Sequence, residues 1–163
     1  MKRLSLFAVA LALVAAGCSS STTPSNTTPT KPTFTAALST ANEVPPITNA
    51  EAGGRGDATV TIDTTAASVT FVVNLSGFPA GTPINIAHIH EGAAGIAGPV
   101  RVATTLAAGQ VLLASGSGSF TSVQTGVDQA LMQAIINNPA GYYFNAHSTL
   151  NSGGVVRGQL VRQ

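Results

Sequence analysis

Charged residues are scarce in this chain of 163 residues, where they make up 8% of the sequence. Soluble proteins ordinarily carry about 25% charged residues. Seven Lys and Arg stand against six Asp and Glu, so the chain cannot build the basic surface that neutralises nucleic-acid phosphates, and nucleic acid is excluded as a partner. The single Cys excludes a disulfide framework and a cysteine-based zinc module. The length fits one domain.

The N-terminal segment has the pattern of an export signal. Lys2 and Arg3 precede an apolar stretch from Leu4 to Val14, and small residues follow up to Cys18. A basic start, an apolar core of about 7–15 residues and a small-residue cleavage site are typical of a secretory signal peptide, and this core is too short to span a membrane. We therefore expect residues 1–17 to be removed on export.

Cys18, directly after Ala-Gly, resembles the modified cysteine in the lipobox of bacterial lipoproteins. The resemblance implies a lipidated Cys18 that anchors the protein to a membrane of the bacterial envelope, facing the periplasm or the cell surface. Ala15 stands where Leu is more usual, and ordinary signal cleavage nearby is the alternative. Residues 18–33 are rich in Ser, Thr and Pro and predict a disordered tether to a domain of residues 34–163.

Alternation of apolar and polar residues begins at Phe34 and indicates β-strands, as in Ala58–Ile62 and Val69–Leu75. Eight or nine such short segments, separated by turns rich in Gly, Pro, Asn and Ser, predict an antiparallel sandwich or a small barrel. Only the segment from Val127 to Ile135 shows a helical period, and it predicts one helix of about ten residues. The fold class is therefore all-β with one short helix.

The three histidines of the chain are the main candidates for chemistry. His88 and His90 lie two apart near the end of a predicted strand, so both leave the same face with Cα atoms about 7 Å apart. His147 lies near the end of another strand. Neutral imidazoles ligate copper and zinc, so the three could form a site completed by water, Glu91 or a partner group. Alternatively, each is a structural histidine that hydrogen-bonds to neighbouring backbone.

Four sequence motifs follow one another across residues 34–163. They are Asn42-Glu43-Val44-Pro45-Pro46, Ala87-His88-Ile89-His90 with Gly98-Pro99-Val100, Gly141-Tyr142-Tyr143-Phe144-Asn145-Ala146-His147-Ser148, and Gly154-Val155-Val156-Arg157-Gly158-Gln159-Leu160. Together and in this order they resemble the chordin-type domain family, abbreviated CHRD. The resemblance implies an immunoglobulin-like or superoxide-dismutase-like antiparallel β-sandwich, found in animal chordins and in many exported bacterial proteins that often lack an assigned activity.

The histidine pair is also similar to the copper site of copper/zinc superoxide dismutase, which includes a His-x-His pair on a strand. Carried over, this likeness makes His88 and His90 the pair and His147 a third ligand for copper or zinc. The dismutase uses further histidines and a disulfide, whereas this chain has three His and one Cys. The sequence also lacks a nucleophile elbow and a phosphate loop. We therefore expect no enzymatic activity.

Arg157 is a charged residue in a charge-poor domain, and such a residue usually has a charged partner. We expect Glu43 or Glu91 to form an ion pair with Arg157 that joins the two ends of the domain. The alternative is that Arg157 binds a ligand.

Three functions are compatible with these features. The first is a membrane-tethered extracytoplasmic binding module without catalytic activity, with or without a bound metal, that contacts an envelope protein or a glycan. The second is a periplasmic copper- or zinc-binding protein that uses the three histidines. The third is a purely structural envelope lipoprotein.

Overall fold

The computed structural model describes residues 31–163; the predicted signal peptide, Cys18 and most of the predicted tether lie outside the described residues. Within the described part there are ten strands and one α-helix. No helix in residues 31–163 is long and apolar enough to cross a membrane. The elements are β1 (Thr33–Ser39), β2 (Arg55–Asp63), β3 (Ser68–Ser76), β4 (Thr82–Glu91), β5 (Val100–Ala103), β6 (Val111–Leu113), β7 (Gly118–Thr125), α1 (Gln129–Asn137), β8 (Tyr142–Ser148), β9 (Val156–Gln159) and β10 (Val161–Arg162).

All strand pairings are antiparallel and connect the strands into one sheet. The order is β5-β4-β8-β9-β1-β2-β3-β7, with β10 beside β1 and β6 beside β4. The alternation in the sequence corresponds to burial, since Val60 and Ile62 of β2 are fully buried while their neighbours are partly exposed. The last strand region of the chain is divided into β9 and β10, which pair with β1 at different positions.

The sheet folds over on itself to enclose the core. Phe71 on β3 and Phe144 on β8 are four strands apart in the sheet order, a distance of roughly 19 Å in a flat sheet with strands about 4.8 Å apart. Their ring centroids are nevertheless only 5.9 Å apart. Side chains from distant strands therefore share one core, which confirms the predicted all-β, sandwich-like fold.

The single helix also lies where the sequence predicted it. Asp128 caps α1, because its carboxylate accepts a hydrogen bond from the backbone N–H of Leu131 at 2.9 Å. The helix buries Met132 and Ile135 in the core.

Strand β8 is buried on both of its faces. Phe144 and Ala146 belong to the apolar core, whereas Tyr143, Asn145 and His147 point to the opposite face by strand alternation. That face is covered by loops, since Ser152 and Gly98 both contact its side chains. A layer of polar side chains is thus enclosed between the sheet and its loops.

Candidate metal centre

The structure brings the three predicted histidines together in this polar layer. Strands β4 and β8 are neighbours, and their register places His88 opposite Asn145, His90 opposite Tyr143 and His147 opposite Ile86. The three imidazoles therefore leave the same face of the sheet. One ring nitrogen from each can be chosen so that all three atoms lie within 4.8 Å of one another.

Backbone carbonyls determine which ring nitrogen carries the proton in two of the histidines. The Nδ1 atom of His90 lies 2.9 Å from the carbonyl oxygen of Gly98, and that of His147 lies 2.8 Å from the carbonyl oxygen of Ser152. A carbonyl oxygen only accepts, so each Nδ1–H is the donor. In the neutral rings this leaves a lone pair on Nε2 of both histidines, directed away from the backbone.

His88 completes the cluster through a hydrogen bond to His147. The His88 Nδ1 and His147 Nε2 atoms are 3.2 Å apart, and the proton comes from His88 because His147 already carries its own proton on Nδ1. His88 is half-buried, whereas His90 and His147 are buried. The open side of the cluster is therefore next to His88.

The Nε2 atom of His90 is buried and has no hydrogen-bond partner. Leaving a buried acceptor without a partner costs about 1–3 kcal/mol. This nitrogen belongs to the cluster of three imidazoles, which includes no charged donor. The site therefore provides a lone pair whose burial a bound ion would compensate.

All three imidazoles favour their neutral form, which is the form that ligates metals. Burial is the main cause that lowers the pKa of each histidine. It lowers the pKa of His88 to about 4, with further contributions from His147 and His90. At neutral pH the cluster therefore offers ring nitrogens without competition from protons.

The size of the cluster suits a first-row transition metal. Zinc–nitrogen bonds of about 2.0–2.1 Å in a tetrahedral site separate the ligand nitrogens by about 3.3 Å. The His88 and His147 nitrogens are already 3.2 Å apart. The remaining separations, at most 4.8 Å, need to close by about 1.5 Å or less.

Tyr143 and Arg157 support His90 from the side away from the other histidines. The His90 and Tyr143 rings are stacked, with centroids 4.8 Å apart and planes 7° apart. The guanidinium carbon of Arg157 lies 3.4 Å from the centroid of the Tyr143 ring, and its charge contributes to the lowered pKa of His90. The Tyr143 hydroxyl accepts a hydrogen bond from the Gly98 N–H at 3.2 Å.

The expected ion pairs of Arg157 are not formed among residues 31–163. Glu91 pairs with Arg101 instead, at 3.4 Å, and the carboxylate of Glu43 accepts a hydrogen bond from Asn145 Nδ2 at 2.6 Å. Arg157 donates to the carbonyl oxygens of the loop that follows β4. The predicted ion pair was therefore wrong. Asn145 contacts Glu43 in place of Arg157, and loop carbonyls contact Arg157 in place of a carboxylate.

Glycine at two loop positions makes the layer possible. A Cβ atom on Gly98 would overlap the carbonyl oxygen of Glu91, so only glycine allows the loop to present its carbonyl to His90 there. Gly154 has a φ of 135°, and a Cβ there would overlap Asn145 Nδ2. Both glycines belong to the sequence motifs, but nothing in the sequence indicates this role.

The described domain is therefore an all-β sandwich with a cluster of three buried or half-buried histidines beneath its loops. The model of the CHRD domain family matches residues 34–160, and the chain belongs to this family. No curated protein and no solved structure was found to match the chain.

Proposed function

We propose that this protein is an exported, lipid-anchored CHRD-domain module that binds a copper or zinc ion through His88, His90 and His147. The observation that carries the proposal is the buried Nε2 atom of His90, which has a lone pair and no hydrogen-bond partner. A ring nitrogen from each of the other two histidines lies within 4.8 Å of a ring nitrogen of His90.

The donor set favours copper or zinc over the alkaline-earth ions. Imidazole nitrogen is a preferred ligand of copper and zinc, whereas calcium and magnesium take oxygen ligands. The cluster consists of histidines alone. Three such ligands leave one position of a tetrahedral ion for water or for a group from a partner.

Hydrogen bonds of His90 and His147 to backbone carbonyls support this proposal independently. Metal-ligating histidines commonly donate their second N–H to a carbonyl or carboxylate, which holds the ring orientation and the tautomer. Both contacts are present, to Gly98 and to Ser152. Binding replaces the hydrogen bond between His88 and His147, and the His88 proton moves to Nε2 on the half-exposed side of the ring.

We further propose binding without catalysis. The carboxylates near the polar layer are engaged in hydrogen bonds, Glu43 with Asn145 and Glu51 with Ser148 and Asn151. General acid–base catalysis needs a carboxylate or imidazole free to exchange a proton with a substrate. The proposed role is therefore to hold the ion at the envelope, with Cys18 as the point of membrane attachment.

Titration of the chelator-treated protein with Zn(II), Cu(II) and Cu(I) tests the proposal. We expect at least one ion to bind with a Kd below about 1 μM. His88→Ala is the most informative variant because His88 is half-exposed, so the fold tolerates its loss; we expect affinity to fall at least ~100-fold. Gln133→Ala, at an exposed position of α1, is the control. Binding weaker than micromolar for all three ions, or unchanged binding by His88→Ala, would contradict the proposal.

A further inference from the structure

A second candidate site lies on the other side of Arg157 from the histidines. It is a cavity of about 460 Å³ with a wall of alanine and valine side chains, and its polar lining consists of Asn42, Glu43, Arg157 and Gln159. Small-molecule sites usually measure about 300–1,000 Å³ and combine an apolar wall with a few polar groups. The histidines do not line this cavity.

Arg157 is only 2% exposed, and its hydrogen bonds all come from one nitrogen. The Nη2 atom donates to the carbonyl oxygens of Ala93 and Ile96, each at 2.9 Å, and to Gln159 Oε1 at 3.3 Å. Among the described residues, the buried side-chain atoms that lack a partner are His90 Nε2 and Asn145 Oδ1. The Nε and Nη1 atoms of Arg157 make no hydrogen bond to the described residues and are not among these fully enclosed atoms, and Arg157 lines the cavity.

The positive charge of Arg157 has no carboxylate partner within 4 Å in the part of the chain that the structure describes. Removing a cation from water without pairing it is costly. Glu43 lines the same cavity, but it is hydrogen-bonded to Asn145, and burial raises its pKa to about 7. Below that pH, Glu43 is largely neutral and the cavity carries a net positive charge.

We propose that this cavity binds a small organic carboxylate. The ligand's carboxylate accepts the hydrogen bonds that Arg157 leaves unmade, and its apolar body packs against the alanine and valine wall. Arg157 is well suited to this role, because the Tyr143 ring and the loop carbonyls hold the guanidinium plane in place. The site goes beyond metal binding, since it uses none of the histidines.

The test compares benzoate with benzyl alcohol, which has the same ring but no charge, by heteronuclear NMR titration of the purified protein at about pH 6 in the presence of a chelator. We expect benzoate to bind with a Kd below about 1 mM and benzyl alcohol to bind at least ~10-fold more weakly, because hydrogen bonds to a charged group contribute about 1.5–3 kcal/mol. Equal binding of the two probes, or no benzoate binding below about 10 mM, would overturn the proposal.

Variants locate the site without altering Arg157. Ala41→Phe places a ring in the cavity from an exposed position and should weaken benzoate binding at least ~10-fold. Ala107→Phe, which is exposed and does not line the cavity, is the matched control and should leave binding unchanged. Unchanged binding by Ala41→Phe would place benzoate elsewhere and overturn the assignment. His88→Ala should retain benzoate binding, which separates this proposal from the metal proposal.

Discussion

The imidazole of His90 lies flat against the phenol ring of Tyr143, with centroids 4.8 Å apart and planes 7° apart. The guanidinium carbon of Arg157 lies 3.4 Å from the centroid of the same ring. Two planar groups cannot occupy one ring face at these distances, so Tyr143 is held between them. One aromatic ring therefore separates the candidate metal centre from the cavity beside Arg157 and supports both.

Substitutions at Tyr143 should distinguish the ring from its hydroxyl. Tyr143→Phe keeps both stacked contacts and loses the hydrogen bond from Gly98, so we expect a loss of about 1 kcal/mol in the free energy of unfolding. Tyr143→Leu also loses the stacking on His90 and Arg157, and we expect a loss of about 2–4 kcal/mol. Urea denaturation measures both, and equal losses would show that the ring stack does not support the layer.

Metal binding should stabilise the folded protein. An ion at 100 times its Kd adds about 2.7 kcal/mol to the free energy of unfolding, which raises the Tm of a domain of this size by roughly 10 °C. Differential scanning calorimetry with and without zinc or copper measures the change, and excess chelator should reverse it. His88→Ala should show little or no increase; an increase equal to that of the wild type would mean that the ion binds elsewhere.

Glu43 should make stability depend on pH. Its folded pKa is raised from 4.5 to about 7 by burial, against a smaller lowering by Arg157. The unfolded chain therefore releases this proton first as pH rises. The stabilising contribution of Glu43 to the free energy of unfolding is complete below about pH 4.5 and is lost as pH rises through about 7. Because water at the cavity mouth screens Glu43, we expect the free energy of unfolding to decrease by on the order of 2 kcal/mol over this pH range.

The comparison with Glu43→Gln isolates this effect. The lowered histidine pKa values change stability with pH in the opposite direction, but they are present in both proteins and cancel in the comparison. Their contribution to stability is lost as pH falls below about 6.5. Relative to the wild type, the variant should gain about 2 kcal/mol in the free energy of unfolding between pH 4.5 and pH 8. A difference that stays constant over this range would contradict the raised pKa of Glu43.

Membrane attachment should depend on Cys18. If the cysteine is lipidated, Cys18→Ala removes the acyl chains and should transfer the protein from the membrane fraction to the soluble fraction of bacterial cells, because several acyl chains provide stable anchoring. Fractionation followed by immunoblotting measures the distribution. If the Cys18→Ala protein stays in the membrane fraction after its signal peptide has been removed, another part of the chain is the anchor.

The strands and the helix could be predicted because local patterns specify them. The alternation in β2 and β3 and the helical period before Asn138 reflect which face each element buries. The joint face of His88 and His90 follows from the same rule. The likeness to the dismutase copper site also made His147 a third ligand, but its distance from the pair depends on the pairing of β4 with β8, which joins residues 59 apart in the chain.

Other features of the site have no signature in the sequence. The carbonyl groups of Gly98 and Ser152, which hold the histidine tautomers, are present in every residue, so only the loop conformation reveals them. The prediction of an ion pair for Arg157 was wrong for a similar reason. The sequence suggested a charged partner, whereas folding supplied loop carbonyls and the ring of Tyr143.

X-ray absorption spectroscopy of the metal-loaded protein tests the three-histidine site most directly. The chain has only three histidines, so the number of imidazoles on the ion identifies the ligands. We predict three imidazole nitrogens at about 2.0–2.1 Å from zinc, with a light-atom ligand in the remaining position. The same measurement on His88→Ala should show a lower imidazole count. A spectrum of the wild-type protein with fewer than three imidazoles, or with only oxygen ligands, would contradict the site.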